Sequence, residues 1–205
     1  MPRLLMFDFD GVIADSLEQF ERALNAACAA TGLAPVGDRD AVLSLFDENM
    51  LDALKARGLD ERARPAFLGA LRNALARECG SIALFPGMAG VLNELALAHH
   101  VCIITSNISD VVRDVLRANG VRGIRAILGS EKDASKTRKI SRAIAACPGC
   151  EAFYFGDTVG DMREAREAGV APVAVAWGWH GGQRLMSAQP AHSVHSPRDL
   201  LARYL

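Results

Sequence analysis

The 205-residue sequence lacks any long uninterrupted apolar run. Its longest apolar stretches, at 101–104 and 170–177, are far too short to cross a bilayer, which takes about 20 residues. Near the first residue, one arginine and a brief apolar run are followed at once by two acids, a pattern unlike a secretory signal. We therefore expect no membrane association and a cytoplasmic protein.

The sequence also lacks an excess of charge of either sign. It contains 23 Lys and Arg residues and 24 Asp and Glu residues, for a formal net charge of -1. This balance creates no long-range field that would attract nucleic acid or an anionic membrane, so we expect neither as a partner. Any anionic ligand must be captured by local groups.

Cysteine is scarce, and the number of cysteines is odd. Five cysteines in a chain of this size fit a reducing compartment better than a disulfide framework. We interpret Cys147-Pro148-Gly149-Cys150 as a connecting turn, with an adventitious disulfide as the alternative, since no second pair completes a zinc tetrad. His99 and His100 are predicted to end a helix, where polar residues are common, and we assign them no metal.

Two acids follow directly after the apolar run at 4–7, which has the length of a strand. Because side chains alternate along an extended chain, Asp8 and Asp10 should emerge on one side while Phe9 points into the packing. Gly11 allows the backbone to turn and to approach a ligand without a Cβ in the way. We expect both acids at the carboxyl end of a strand, where open α/β sheets bind ligands.

The order of predicted elements indicates an α/β fold with an insertion. Half of the residues are apolar, enough for one sizeable core domain. Almost no strand pattern lies between residues 15 and 84. Predicted helices lie at 17–31, 40–45, 48–57, 60–78, 88–98, 109–119, 135–146, 159–168 and 197–205, predicted strands at 4–7, 101–105, 125–128, 152–155 and 172–177, and a loose polar tail at 178–195.

The alternation of helix and strand after residue 85 predicts a Rossmann-like parallel sheet flanked by helices on both faces. We assign residues 1–15 and 85–205 to this core domain. Residues 16–84 are assigned to a small all-helical cap inserted after the first strand, because the composition changes there.

The strand predicted at 101–105 ends in polar residues suited to an anion. The hydroxyl of Thr105 and the free backbone N–H groups of Ser106 and Asn107 can hold phosphate oxygens at the start of the following helix. The alternative interpretation is an ordinary turn and helix cap.

The strand predicted at 152–155 leads into Gly156-Asp157, and Asp161 follows four residues later in the first turn of a helix. Together with Asp8, these acids provide the hard oxygen ligands that Mg²⁺ prefers. The alternative is that Asp157 and Asp161 cap the helix and complement its dipole. Because the pair Asp8 and Asp10 is also present, we favour the metal site.

A cation is needed to offset the charge of a phosphate and of the acids. Lys132, Lys136 and Lys139 are the candidates, all close to the start of the helix predicted at 135–146. The two lysines that do not serve the site are expected to be solvated surface charges.

These segments resemble the four motifs of the haloacid dehalogenase-like hydrolase superfamily, in its phosphoglycolate phosphatase-like branch. Residues 8–16 resemble motif I (DxDGxxxDS), and residues 156–161 resemble motif IV in its GDxxxD form. The strand ending at Thr105 resembles motif II, and Ser135-Lys136 fits motif III best, although the Lys-Pro spacing common in the branch is absent. The resemblance covers the whole chain.

The resemblance implies a Mg²⁺-dependent phosphatase that forms an aspartyl-phosphate on Asp8. Asp10 would act as general acid and base. Thr105 and Lys136 would bind the transferred phosphoryl group, with Gly11, Ser106 and Asn107 beside it. The residues assigned to the metal are Asp8, the backbone carbonyl of Asp10, Asp157 and, through a metal-bound water, Asp161.

The implied substrate is a small phosphorylated metabolite such as phosphoglycolate or a sugar phosphate. A sugar-phosphate mutase of the same superfamily and a non-catalytic phosphometabolite-binding protein are the two alternatives. The sequence leaves a monomer and a homodimer equally open.

Overall fold

The computed structural model describes residues 1–47 and 50–205, without the side chain of Cys79. These residues form two compact units, Met1–Asp15 with Ala83–Leu205, and Ser16–Ile82. The strands are β1 Leu4–Phe7, β2 Ala14–Asp15, β3 Ala83–Leu84, β4 His100–Ile104, β5 Ala126–Leu128, β6 Ala152–Gly156, β7 Ala171–Val175 and β8 His192–Val194. The helices are α1 Leu17–Thr31, α2 Arg39–Ser44, α3 Met50–Ala56, α4 Arg64–Glu78, α5 Met88–Ala98, α6 Ser109–Ala118, α7 Lys136–Ala145, α8 Val159–Glu167, α9 Gly181–Ser187 and α10 Pro197–Tyr204.

A six-stranded parallel sheet, in the order β5-β4-β1-β6-β7-β8, forms the centre of the first unit. Leu4 of β1 pairs with His100 on one side and with Ala152 on the other. All four residues of β1 are buried, as expected for a strand covered by helices on both faces. The Rossmann-like fold predicted from the sequence is thus confirmed.

Helix α7 covers one face of the sheet. Ile140 and Ala143 of this helix pack in one apolar cluster with Met6 of β1, Cys102 of β4 and Tyr154 of β6. Since β1, β4 and β6 are neighbours and parallel, their carboxyl ends lie at the same edge of the sheet. Residues 8, 105 and 157 directly follow these three ends.

The second unit is helical, with turns and irregular loops between the helices, throughout its described residues 16–47 and 50–82. Helix α1 has the predicted bounds and ends at Gly32, whose φ of 71° lies in the left-handed region. An ion pair between Arg22 and Glu78 (2.7 Å) joins α1 to α4. The start of the helix predicted at 48–57 lies outside the described residues.

Several predicted boundaries are wrong. The helix predicted at 60–78 begins at Arg64, and Pro65 lies in its first turn, where a missing N–H costs no hydrogen bond. The short antiparallel pair β2–β3 was not predicted, because two residues per strand leave no alternation to detect. The tail at 178–195, predicted to be loose, contains α9 and β8.

The Cys-Pro-Gly-Cys segment forms the expected turn, in which the Cys150 N–H donates to the Cys147 carbonyl oxygen (3.2 Å). The two sulfurs form a disulfide, the alternative named above. His100 is the first residue of β4 and not the end of a helix, because α5 stops at Ala98. Among the described residues, no helix is long and apolar enough to cross a membrane.

Candidate active site

Lys136 links two of the acids predicted from the sequence. It begins α7, and its Nζ donates to Asp8 Oδ2 (2.8 Å) and to Asp161 Oδ1 (2.7 Å). The other oxygen of Asp8, Oδ1, accepts the Phe9 N–H (2.7 Å). Of the three candidate lysines, Lys136 is therefore the one whose ammonium lies at the acids, and Lys132 is exposed.

Burial controls the charge of Asp8, whose residue is only 7% exposed. Burial raises the pKa of its carboxyl to about 7, and the ammonium of Lys136 only partly opposes this rise. The carboxylates of Asp161 and Asp10 raise it further. In the absence of a further cation, Asp8 is thus poised between its neutral and ionised forms near neutral pH.

Asp161 is fully engaged in hydrogen bonds. Its Oδ2 accepts from the backbone N–H and the hydroxyl of Thr158, and its own N–H donates to Thr158 Oγ1, which forms a capping box at the start of α8. The Tyr154 hydroxyl donates to Oδ1 at 3.2 Å. Burial alone would raise the pKa of Asp161, but Lys136 and Thr158 together hold it below its usual value. Asp161 therefore both caps the helix and holds Lys136.

Asp157 carries a buried oxygen that lacks a partner. Its Oδ2 accepts the Trp179 N–H (2.7 Å), whereas Oδ1 has no hydrogen-bond partner among the residues that the structure describes. Burial, followed by the charges of Asp161 and Asp8, raises the pKa of Asp157 well above its ordinary value. A buried acceptor without a partner is costly, so this oxygen marks a place for a ligand.

Two glycines shape the space around Asp157. A Cβ at Gly11 would overlap Asp157 Oδ2, and a Cβ at Gly178 would overlap Asp157 Cβ and the Gly11 carbonyl oxygen. Gly11 also has a φ of +76°. The sequence analysis attributed Gly11 to close approach of a ligand, but in the structure the group that approaches it is the Asp157 carboxylate.

The donor set fits a hard divalent cation. One carboxylate oxygen from each of Asp8, Asp157 and Asp161 lies within 4.8 Å of the other two. The unpartnered Oδ1 of Asp157 and the raised pKa of Asp8 both indicate missing positive charge. Because Asp161 is already saturated by Lys136 and Thr158, Asp8 and Asp157 are the better direct ligands.

Thr105 and Asn107 lie at the same edge but differ from the prediction in one respect. The Asn107 N–H is not free for phosphate, because it donates to Thr105 Oγ1 (2.9 Å). With this acceptor site used, the Thr105 hydroxyl can donate its proton elsewhere. The Asn107 side-chain amide lies 3.4 Å from Asp10 Oδ2 and is the group of Asn107 that contacts an acid. Ser106 is exposed.

A protein-family model for haloacid dehalogenase-like hydrolases matches residues 5–175 of this sequence. The chain belongs to this family. This membership confirms the resemblance drawn from the four motifs and the prediction of an enzyme of the hydrolase class.

The proteins to which this chain is similar carry different names. A phosphoglycolate phosphatase from Synechococcus elongatus is 29% identical over 96% of this chain and 94% of its own length. The tyrosine-protein kinase PtkA of Mycobacterium bovis is 30% identical over 87% of this chain and 63% of its own length. A haloacid dehalogenase-like family hydrolase from Streptococcus pneumoniae, 23% identical, has a TM-score of 0.82 and covers 100% of this chain and 99% of its own.

The prediction that both remaining lysines of this haloacid dehalogenase-like chain are surface charges is wrong for one of them. Lys139 is not a surface charge but is 0% exposed, and its Nζ donates to the Thr105 carbonyl oxygen (2.5 Å). Burial and the nearby ammonium of Lys136 lower the pKa of Lys139 to about 8. Helical spacing is the signal that could have revealed it, since residues 136, 139, 140 and 143 fall on one face of α7.

The loop after β7 is the second group whose role was missed. From the sequence, Trp177 and Trp179 are expected only to pack against the loop, yet the Trp177 Nε1–H donates to the Val12 carbonyl oxygen (3.1 Å) and the Trp179 N–H holds Asp157. The Val159 N–H donates to His180 Nδ1 (3.1 Å) at the start of α8. This loop fixes the acid that carries the unpartnered oxygen.

Proposed function

We propose that this chain is a Mg²⁺-dependent phosphatase that hydrolyses a small phosphorylated metabolite through an aspartyl-phosphate on Asp8. The observation that carries the proposal is the unpartnered, buried Oδ1 of Asp157, which lies in a cluster with Asp8 and Lys136. Acids alone would repel a phosphate ester, whereas acids with an ammonium and a divalent cation can bind one.

Asp8 is the proposed nucleophile. Lys136 and the Phe9 N–H each bind one of its oxygens, and each oxygen keeps a second lone pair. These two donors fix the orientation of the carboxylate before the substrate arrives. Attack of Asp8 on phosphorus splits the hydrolysis into two easier steps, in which the phosphoryl group is first transferred to the enzyme and then to water.

Asp10 is the proposed general acid and base. Its carboxyl group is oriented by the Asn107 side-chain amide, at the edge of the sheet where Asp8 also lies. In the first step it would donate a proton to the leaving alcohol, and in the second it would accept a proton from the attacking water. Both steps need the same group in opposite protonation states.

Lys136 and the Thr105 hydroxyl are the proposed phosphate contacts. Such transfers depend mainly on positioning and charge neutralisation, so an ammonium and a hydroxyl in fixed positions suffice. Asp161, whose other oxygen accepts from the Thr158 hydroxyl, holds the ammonium, and Lys139 holds the Thr105 backbone. We assign Ser106 and the backbone at Gly11 only to the rim of the phosphate site.

Asp8 and Asp157 would hold the Mg²⁺ ion, together with the Asp10 backbone carbonyl. Asp161 would act on the site through Lys136 and not through a metal-bound water, because hydrogen bonds already fill its acceptor positions. When bound, the ion would neutralise charge on the substrate and favour the ionised form of Asp8. The chain's own groups supply the nucleophile, the proton transfers and the orientation.

We infer that the helical unit Ser16–Ile82 serves as the cap that selects the substrate. In sequence it follows directly after the segment that carries Asp8 and Asp10. Phosphoglycolate is the first substrate to test, since a relative of nearly equal length bears the name phosphoglycolate phosphatase.

The first test compares phosphate release from p-nitrophenyl phosphate in the presence of Mg²⁺ and in the presence of a chelator. The same assay is then repeated with phosphoglycolate and with sugar phosphates as substrates. Asp8→Asn removes the nucleophile, and we expect a loss of kcat of at least about 1,000-fold. Asp114→Asn, the same change at an exposed acid of α6, is the matched control and should retain activity.

Three outcomes would contradict the proposal. Equal rates for wild type and Asp8→Asn would exclude Asp8 as the nucleophile. Absence of any Mg²⁺-stimulated release across the panel would favour a binding protein. Transfer of phosphate within a sugar phosphate, stimulated by a bisphosphate and without free phosphate, would identify a mutase.

A further inference from the structure

A second group of potential metal ligands lies at the amino end of the sheet. His100 is the first residue of β4, and Cys147 and Cys150 lie in the turn between α7 and β6. One ligand atom from each of the three residues lies within 4.8 Å of the other two. This group lies at the start of the strands, whereas the proposed phosphatase site follows their ends.

The fold brings these residues together from distant parts of the sequence. Leu4 of β1 pairs with His100 on one side and with Ala152, two residues after Cys150, on the other. Cys147, just after α7, packs in the same apolar cluster as Leu4 and Cys102. Because His100 and Cys102 are two residues apart in β4, their side chains share the face that α7 covers.

We propose that His100, Cys147 and Cys150 bind Zn²⁺ when the two cysteines are reduced, with water as the fourth ligand. Thiolate and imidazole are the ligands that Zn²⁺ prefers, and Zn²⁺ accepts three protein ligands plus water in a tetrahedral arrangement. Cys147 is 7% exposed, and His100 and Cys150 are half-buried. The site is therefore partly sheltered from solvent.

The disulfide and the metal are mutually exclusive at this site. Two equivalents of a small thiol supply two electrons and two protons to the bond between Cys147 and Cys150, and are themselves oxidised to a disulfide. Zn²⁺ then displaces one proton from each cysteine thiol, while His100 binds as neutral imidazole. Oxidation of the pair removes both thiolate ligands.

The sequence analysis dismissed a metal here because the cysteines lack a second pair. The missing ligand is an imidazole located 47 residues before Cys147, and no local spacing connects the two. Only the parallel pairing of β4, β1 and β6 makes the connection.

The test uses the full chain in saturating Mg²⁺, with Co²⁺ as a spectroscopic substitute for Zn²⁺. Thiolate bound to Co²⁺ produces a charge-transfer absorption that carboxylate ligands do not, so the signal is specific for the cysteines. We expect one equivalent of Co²⁺ to produce this band in the reduced chain and one equivalent of Zn²⁺ to abolish it. The oxidised chain, which has the same sequence, should show no band.

Two histidine variants test whether His100 supplies the imidazole ligand. His100→Gln should weaken Zn²⁺ binding by more than about 100-fold, since loss of a direct ligand exceeds the 10- to 100-fold cost of losing an outer partner. His99→Gln is the matched control, because the His99 ring contacts the Tyr204 carbonyl oxygen instead of the cysteines. The double variant Asp8→Asn, Asp157→Asn should keep the band.

A reduced, folded wild-type chain without a thiolate band would overturn the proposal. Equal Zn²⁺ affinity in His100→Gln and His99→Gln would also overturn it. Loss of the band in the double variant Asp8→Asn, Asp157→Asn would do the same. Comparison of the reduced and oxidised wild-type chains decides the role of the cysteines even if a variant fails to fold.

Discussion

The Nζ atom of Lys136 lies 2.8 Å from Asp8 Oδ2, and both side chains are almost fully buried. The same ammonium pairs with Asp161. Two buried carboxylates thus share one cation. Burial alone would lower the pKa of Lys136, but the charges of Asp161 and Asp8 raise it well above its ordinary value, so the ammonium stays charged. Asp8 and Asp161 depend on this one charge for neutralisation.

Replacement of Lys136 by Met should cost both activity and stability. Loss of a buried partner leaves uncompensated charge, and we expect a destabilisation of about 3–5 kcal/mol at neutral pH without metal. The proposed phosphate contact also disappears, so kcat should fall by about 100- to 1,000-fold. Chemical unfolding and phosphate release measure the two effects.

Lys132→Met is the control for Lys136→Met, because Lys132 precedes the same helix and is exposed. Its stability should stay within about 0.5 kcal/mol of wild type. If Lys136→Met behaved in the same way, the ammonium would have no role in holding Asp8.

A methyl group at position 178 should displace Asp157. The new Cβ of Gly178→Ala would overlap Asp157 Cβ and the Gly11 carbonyl oxygen, neither of which is the flexible end of a side chain. We expect a destabilisation of about 1–3 kcal/mol and a weaker response to Mg²⁺. Thermal unfolding with and without Mg²⁺ measures both.

Gly90→Ala is the matched control for Gly178→Ala. Gly90 lies within α5, and a Cβ there would meet no atom within 4 Å. Alanine should stabilise the helix by about 0.5–1 kcal/mol. A Gly178→Ala variant as stable and as responsive to Mg²⁺ as Gly90→Ala would show that the contact with Asp157 does not restrict position 178.

Much of the site could be predicted because parallel strands place all their carboxyl ends at one edge. Asp8, Thr105 and Asp157 each follow a strongly apolar strand, so their convergence required only the correct strand type. The capping role of Asp161 was also detectable, since Thr158 with an acid three residues later is a capping-box pattern. The sequence analysis weighed that role against a metal, and the structure shows the capping box.

Other features depend on tertiary contacts that no local pattern specifies. The hydrogen bond from the Trp179 N–H to Asp157 requires the loop after β7 to fold back toward the end of β6. Strand β8 has three residues, and α9 begins with two glycines, so neither has a strong local preference. Packing against the preformed sheet decides their structure.

Truncation of Lys139 should be among the more damaging changes in α7. Lys139→Ala would leave a cavity and remove the donor to the Thr105 carbonyl oxygen, so we expect a loss of about 2–4 kcal/mol. Lys139→Met keeps most of the side-chain volume and removes a buried ammonium, so it should lose less stability than Lys139→Ala. Urea unfolding of the two variants shows which of them has the lower free energy of unfolding.

The pH dependence separates the charge of Lys139 from its volume. Because the pKa of Lys139 is about 8 in the folded chain and ordinarily 10.5, the unfolded state binds more protons between these limits. Wild-type stability should therefore gain a rising contribution from pH 8 to about 10.5, which Lys139→Met lacks. Identical profiles for wild type and Lys139→Met would show that the buried ammonium titrates normally.

The acids of the site should make the metal-free chain less stable as the pH rises. Burial raises the pKa of Asp8 to about 7 and that of Asp157 well above its ordinary value. Between about pH 4 and pH 7 the folded state keeps protons that the unfolded state has released, so the free energy of unfolding falls as the pH increases. Asp161, whose pKa is lowered, loses its stabilising contribution only below this range.

Mg²⁺ should oppose this fall, because a bound divalent cation favours the ionised carboxylates. At 100 times its dissociation constant, a ligand stabilises the folded state by about 2.7 kcal/mol. Since protons compete with the ion for Asp8 and Asp157, the gain in Tm on adding Mg²⁺ should be small near pH 5 and large near pH 7.5. Asp157→Asn should abolish most of the gain while Asp114→Asn preserves it, and a gain that is independent of pH would mean that the ion binds away from these acids.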